Sequence, residues 1–249
     1  MKVQVKKIIS FCEEYLKTKD FKDNCHNGLQ VEGTSDVSRI VVGVSISEKL
    51  IREAIKVKAE MIMVHHGIFS MSLPNPPVFK NFMRTRLKLL LENNINLVGF
   101  HLPLDANPVI GNNISLCKVL GVKNTKAFYL GFIGELNKEV RLVDFVKTID
   151  KKLDTNSFVV SSKRAKVKKV AIISGGAAND FEAAGDLGVD TFICGSIDEH
   201  IVRAVEEMDI NFINAGHYNT EKLGIINLGA VVAKKFGVKV EFVDVPNEV

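Results

Sequence analysis

Two rhythms of apolar residues alternate along the chain: short, nearly continuous β-branched runs, and longer stretches in which apolar positions recur every three or four residues. That alternation predicts β-α units building mostly parallel sheets. Arg39 to Ser45 (RIVVGVS) reads as a buried strand, Ser47 is placed to cap a helix over 48–58, and a second strand, Glu60 to Val64, ends at His65-His66. About 130 residues later the succession returns: a strand at Lys169 to Ser174 (KVAIIS), a helix over 180–187 with Asn179 as its cap, and a strand from Val189 to Cys194 that ends at Gly195-Ser196. Each copy continues through another helix, over 79–93 and 198–208, into a third strand at 95–100 and 210–216. Outside the repeat, residues 1–16 read as a first helix. The stretch 123–168 predicts a strand near 127–133, a helix near 141–153 and a strand near 157–162, and the chain closes with a helix over 222–236 and a strand over 238–244. The pattern predicts an α/β fold of two similar βαβαβ lobes, each a mixed, mostly parallel sheet with flanking helices. One lobe is drawn from 1–125 plus 217–249 and the other from 126–216.

Chemistry concentrates where these strands end. The third strands run into His101-Leu-Pro-Leu-Asp105 and His217-Tyr-Asn-Thr-Glu221, so both copies carry a His-x-x-x-acid pair at the carboxyl edge, where open α/β sheets place their sites. Residues i and i+4 share a face if a helical turn begins there. Successive strand side chains point to opposite faces, so His65 and His66 serve one ion only if the chain turns at Gly67; otherwise each can hold one ion of a pair. Either element alone is commonplace in surface and capping positions. Together they use four of the six histidines at corresponding strand ends. Imidazole and carboxylate without thiolate favour Zn, Fe, Mn, Co or Ni over a bare Mg or Ca site. Two such ions about 3.5–4 Å apart can share a water and lower its pKa toward neutrality, which makes hydrolysis the expected reaction class.

Composition narrows the alternatives. With 249 residues, 46% hydrophobic and 25% charged, the chain matches an ordinary soluble protein rather than a disordered or collagen-like one. Ile8 to Phe11 is too short an apolar run for a signal peptide, no stretch approaches the ~18 apolar residues of a spanning helix, and Cys12, Cys25, Cys117 and Cys194 form no C-x-x-C pair. A reduced, cytoplasmic setting with no membrane contact is the expectation. The net charge of +4 is small, but Lys163 to Lys169 (KRAKVKK) is densely basic and reads either as a nucleic-acid patch or as a solvated loop before a strand. Ser174 to Asp180 (SGGAAND) reads either as an anion-binding turn or as a plain strand-to-helix turn that needs glycine. It is not a P-loop. No G-x-S-x-G element is present and Cys194 has no base beside it in sequence, so a side-chain nucleophile is not expected.

Six ordered motifs, Phe21 to Gly33, Val64 to Phe69, His101 to Asn107 with Gly111-Asn112-Asn113, Ile173 to Gly176, Val189 to Gly195 and Gly216 to Glu221, resemble the GTP cyclohydrolase 1 type 2 homologue family, also called NGG-one-interacting-factor-three-like. The resemblance runs nearly end to end and is to the short form, without the domain that longer members insert. It implies a dinuclear metal site between two α/β lobes, with two divalent ions per subunit held by His65, His66, Asp105, His217 and Glu221, the last as a bridge. His101 is implied to be a ligand or a catalytic neighbour that orients or shuttles protons. A ring- or cage-like homohexamer and a nucleotide or related heterocycle as substrate are implied as well; the namesake reaction adds water to the imidazole ring of GTP and opens it. Two departures stand out. Ser196 occupies a position where many members carry an acidic residue, with Asp198 or Glu199 as substitutes, and Tyr218 follows His217 where some relatives carry a second histidine. Asp23 to Gly33, with the type I′ turn pair Asn27-Gly28, reads either as a structural hairpin or as a substrate contact, and His26 and His200 read as surface or outer positions. The competing reading is a non-catalytic oligomeric scaffold or regulator that binds nucleic acid or a protein and holds structural metals.

Overall fold

Residues 2–69 and 78–247 are described by the computed structural model; residue 1, from the expected first helix, lies outside that range. To residue 104 the elements are β1 (Val3–Gln4), α1 (Val5–Leu16), β2 (Gly28–Val31), β3 (Asp36–Val37), β4 (Arg39–Ser45), α2 (Glu48–Lys56), β5 (Met61–His66), α3 (Asn81–Glu92), β6 (Asn96–Gly99) and the start of α4 (Leu102–Ala106). From there to residue 223 follow α5 (Asn112–Leu120), β7 (Val122–Phe128), β8 (Gly131–Arg141), α6 (Leu142–Leu153), β9 (Phe158–Val160), β10 (Lys166–Ile172), α7 (Phe181–Asp186), β11 (Thr191–Cys194), α8 (Glu199–Glu207), β12 (Asn211–Asn214) and α9 (His217–Thr220). The chain ends with α10 (Lys222–Phe236) and β13 (Lys239–Phe242).

Two compact units result: Met1–Leu104 with Gly224–Val245, and Asp105–Leu223 with Pro246–Val249. The expected boundaries at 125/126 and 216/217 differ from this division. The reason lies in α5 and β7. Leu116, Cys117, Leu120 and Val122 pack into the same apolar cluster as Phe145, Ile149 and Val170, so they belong with the second unit. In the first unit the sheet order is β13-β4-β5-β6-β2, with β13, β4, β5 and β6 parallel and β2 antiparallel. In the second it is β7-β8-β10-β11-β12-β9, with a parallel centre flanked by antiparallel strands.

The apolar runs form central strands because both faces are covered. In β10 to β12, Val170, Ile172, Ile193 and Ile213 face α5 and α6, while Ala171, Phe192, Cys194 and Phe212 face α7 and α8. In the first unit Val41, Ile62, Val64 and Leu97 pack against Leu50, Ile51 and Leu90 of α2 and α3. Ser47 caps α2 as expected, its hydroxyl accepting from the Leu50 N–H at 3.1 Å. Asn179 does not cap α7. Residues Ala178–Asp180 form a 3-10 turn and α7 starts at Phe181 without a side-chain cap.

Two polar devices recur at the amino ends of both sheets. Glu60 accepts from the backbone N–H groups of Ser38 and Arg39 at 2.9 and 2.8 Å, and Asp190 from those of Lys168 and Lys169 at 2.8 and 2.7 Å. Asn96 accepts from the Gly33 N–H and donates to the Thr34 carbonyl, both at 2.9 Å; Asn211 accepts from the Ser162 N–H at 3.0 Å and donates to the Arg164 carbonyl at 3.1 Å. These matched contacts and the shared strand order identify the two halves as copies of one plan.

The copies align differently from the sequence motif at one point. Met61 lies opposite Asn96 as Thr191 lies opposite Asn211, and the Phe100 N–H bonds the Val64 carbonyl as the Ala215 N–H bonds that of Cys194. His101 therefore corresponds to Gly216, and His217 to Leu102, the first residue of its own short helix. The two His-x-x-x-acid pairs are one residue out of register. The expected single strand near 127–133 is likewise a hairpin, β7 and β8, turning at Tyr129 with φ 49°.

Candidate metal-binding residues

In the first unit, β5 and β6 end side by side and deliver three imidazoles to one place. The ring centroids of His65, His66 and His101 lie 4.6 to 5.5 Å apart, and each offers a nitrogen within 4.8 Å of the others. His65 is 1% exposed, and its Nδ1–H donates to the Phe100 carbonyl at 2.9 Å. That bond fixes the tautomer with the lone pair on Nε2, the arrangement in which a histidine ligates. Nδ1 of His66 pairs with the Ser45 hydroxyl at 2.9 Å. The turn after the two histidines is held by Gln30, whose Oε1 accepts from the Ile68 N–H at 2.7 Å while its amide donates to the His26 carbonyl at 2.8 Å. A Cβ at Gly67 would run into that amide, so the sharp turn needs glycine for space.

His101 is held from the opposite side. Its Nδ1 donates to Asp23 Oδ1 at 2.9 Å, and its backbone N–H donates to Asn27 Oδ1 at 2.7 Å. Asp23 also accepts from the Cys25 N–H at 2.9 Å, the Asn27 amide at 2.9 Å and the Leu102 N–H at 3.0 Å, with its side chain only 3% exposed. Burial alone pushes the Asp23 carboxyl up. The bonds from His101, Cys25 and Asn27 overcome that and hold it well below the usual carboxylate range. Asn27-Gly28 is not a type I′ turn: only Gly28 has positive φ, at 112°, and it opens β2 beside β6. The Asn27 side chain instead ties Asp23 to His101.

In the second unit, His217 begins α9 and Glu221 follows its last residue, so the i, i+4 geometry closes with His217 Nε2 3.2 Å from Glu221 Oε2. Glu221 is 3% exposed. Asp105, also buried, accepts from the Asn112 amide at 2.8 Å and the Ser174 hydroxyl at 3.0 Å. Asn113 bonds the Asp105 and Leu130 carbonyls and the Ser174 N–H. Glycine is needed here too. Gly175 has φ 67°, and a Cβ there would meet Glu221 Oε1; a Cβ at Gly195 would lie 2.7 Å from both the His217 Cα and the Thr220 hydroxyl. The structure thus gathers His65, His66 and His101 in the first unit and His217 with Glu221 in the second. Asp23, Asn27, Gln30, Ser174 and Thr220 were not singled out by sequence as supports, because their partners lie tens of residues away.

Other candidate features have local explanations. In the Ser174 to Asp180 turn, the Gly175 N–H goes to Thr220 Oγ1, the Ala177 N–H to the Gly175 carbonyl and the Asp180 N–H to the Ala177 carbonyl. In the basic segment, Arg164 pairs with Asp209, Lys166 with Glu139, and the Lys168 and Lys169 ammonium groups donate to the Leu136 and Leu187 carbonyls. Burial pushes the Cys12, Cys117 and Cys194 thiols up to about 12, which keeps them protonated. His200 is exposed, and His26 bonds the Leu29 carbonyl at 3.0 Å. Ser196 accepts from the Cys194 thiol through its carbonyl, and Asp198 and Glu199 are exposed. Among the described residues no helix is long and apolar enough to cross a membrane.

The match that decides the family covers residues 3–248, to the Duf34/NIF3 (NGG1p interacting factor 3) description. This chain belongs to that family. Relatives named GTP cyclohydrolase 1 type 2 homolog include one from Haemophilus influenzae, 37% identical over 93% of this chain and 94% of the relative. Another from Pseudomonas aeruginosa is 34% identical over 99% of both. Among solved structures, the protein ybgI, described as of unknown function, superposes with a TM-score of 0.95 at 34% identity, covering 99% of this chain and 100% of that one. TTHA1606 from Thermus thermophilus gives 0.90 at 28% identity, covering 99% and 100%. Other Duf34/NIF3 relatives below 25% identity, such as a Bacillus cereus protein related to NIF3, share the fold.

Proposed function

We propose that this Duf34/NIF3 protein is a divalent-metal-dependent hydrolase acting on a nucleotide or a related heterocycle. The observation that carries the reading is the group of three imidazoles at the ends of β5 and β6, with the His65 tautomer set for ligation. The donors fit borderline ions such as Zn, Fe, Mn, Co or Ni, since they are imidazole and carboxylate. In this reading His65, His66, Asp105, His217 and Glu221 would hold two divalent ions. When bound, such ions supply an acidified water and an electrophile.

The chain's own residues supply the rest. Ser45 and the Phe100 carbonyl orient the two ring planes of His66 and His65, and Asn112 and Ser174 orient the Asp105 carboxylate so that its geometry does not depend on solvent. Asp23 fixes His101 with Nδ1 protonated, which leaves Nε2 to take a proton from water and return it to the leaving atom. The name the relatives carry makes GTP, opened at its imidazole ring, the first substrate to test.

The test combines elemental analysis with product analysis after incubating metal-loaded protein with GTP and a panel of nucleotides. Metal-dependent product that disappears in His65→Ala and Glu221→Ala supports the hydrolase. Metal uptake without product from any nucleotide leaves the scaffold reading, and no uptake of any transition ion removes both.

A further inference from the structure

At the carboxyl edge of the second sheet, beside the turn that carries His217, lies an open cleft of about 720 Å³ whose described lining residues all belong to the second unit. That size suits a nucleoside-sized ligand. Its walls carry Asn156, Phe158, Ser196, Asn214 and Asn247, and Gly216 lies at its inner end, directly before His217. Among the described residues the lining contains no lysine or arginine, and the charged residue on it, Asp154, terminates α6. Phe158, at the start of edge strand β9, is 54% exposed although it is the largest apolar side chain of the cleft. The wall behind it is braced: Asn219 donates to the Leu153 and Asp154 carbonyls at 3.2 and 2.8 Å, Asn214 accepts from the Gly216 N–H at 3.0 Å, and Asp150 accepts from the Ser157 N–H and hydroxyl at 2.9 and 2.6 Å.

We propose that this cleft is the subsite for the uncharged heterocycle of the substrate, a nucleobase that stacks on Phe158 and pairs its polar edge with the amide and hydroxyl side chains. Three features point there together. An exposed aromatic ring offers a π-face to any base, side-chain amides supply donor and acceptor on one group, and the described lining matches an uncharged ring better than a phosphate, since no lysine or arginine is among it. Gly195 and Gly216 both line the cleft and both adjoin His217, Gly216 in sequence and Gly195 in space, where a Cβ would lie 2.7 Å from the His217 Cα, which puts a bound base beside that half of the candidate metal residues. The inference rests on the hydrolase reading for its biological role, but base binding itself requires neither metal nor turnover.

The test is calorimetric titration of guanosine into chelator-treated wild-type protein, Phe158→Ala and Phe158→Tyr, with GTP and a short single-stranded oligonucleotide as further probes. Saturable one-to-one binding is expected, weakened about tenfold in Phe158→Ala, the size of one base–aromatic stack, and restored in Phe158→Tyr. GTP should bind no more tightly than guanosine to the metal-free chain. Absence of saturable guanosine binding, or equal affinity in Phe158→Ala, overturns the subsite. A salt-dependent gain of tenfold or more with the oligonucleotide overturns a free nucleoside as the source of the base. Base binding with no turnover of any nucleotide removes the hydrolase and keeps the subsite; turnover with an unchanged KM in Phe158→Ala removes the subsite and keeps the hydrolase.

Discussion

In the first unit strand β5 ends on His65-His66; in the second, the ladders set Gly195-Ser196 at the same two positions after β11. The central strands otherwise share individual contacts, with Glu60 matched by Asp190 and Asn96 by Asn211. The difference shows how one duplicated scaffold supports two kinds of site edge. Where side chains are to act, the strand end projects imidazoles and the neighbouring turn is pinned by Gln30. Where another element's side chain is to act, the strand end is reduced to glycine and the backbone of α9 comes to 2.7 Å from where a Cβ would be. The same contrast holds one strand over, where the position taken by His101, backed by Asp23, in the first unit is taken by Gly216 in the second.

The largest effect that would break this comparison is at Gly195. Gly195→Val should destabilise the protein by about 3 kcal/mol, because the His217 and Gly175 backbone, together with the Thr220 hydroxyl, occupies the space. His66→Ala at the matching site should leave urea stability within about 1 kcal/mol while lowering metal uptake. Equal destabilisation of both variants would mean that the two strand ends are not specialised as described. Next in size, Asp23→Asn should lower kcat for any substrate found by roughly 10–100-fold, the usual loss when an orienting partner of a functional histidine is changed, with KM nearly constant. A loss confined to KM would make Asp23 a support of binding instead.

Glu60→Gln and Asp190→Asn sharpen the shared part, and each should cost about 1–2 kcal/mol in urea unfolding, the worth of hydrogen bonds to a charged acceptor. Unequal losses would show that the matched caps do not carry matched loads. For Glu60 the sign with pH follows from its cause. Burial pushes the carboxyl up, but the N–H and hydroxyl bonds from Ser38 and Arg39 outweigh it and lower the pKa from its ordinary 4.5. Its contribution is therefore complete above about pH 4.5 and fades as pH falls below it, so wild type and Glu60→Gln should converge in acid. The smallest effect belongs to Lys166→Ala, whose exposed pair with Glu139 should leave the thermal midpoint unchanged.

Much of the architecture was legible in the chain because parallel strands buried on both faces must be continuous apolar runs, as in Arg39 to Ser45, and because Ser47 signals a helix start through its own hydroxyl. The β7–β8 hairpin was not, since Lys123, Asn124 and Lys126 give β7 a polar face and Tyr129, a non-glycine residue at positive φ, makes the turn. The candidate ligands were legible as His and acid at strand ends. Their relation differs by one residue from the one that the motif spacing predicts, because equivalence between copies is set by ladder register and not by the spacing inside a motif. Asp23 lies within the Phe21 to Gly33 motif, but its role as the support of His101 is not legible there, because His101 is 78 positions away.

The paired asparagines carry a practical corollary. Asn96 and Asn211 are both fully buried, and each joins a donor and an acceptor of a crossing loop through one amide. Exchanging the –NH2 for –O⁻ barely alters shape but strips away the donor and introduces a charge. Each half of the molecule thus contains its own two-atom fastening that can be undone alone, giving an experimenter separate handles with which to loosen either copy of the shared plan and watch how the other responds.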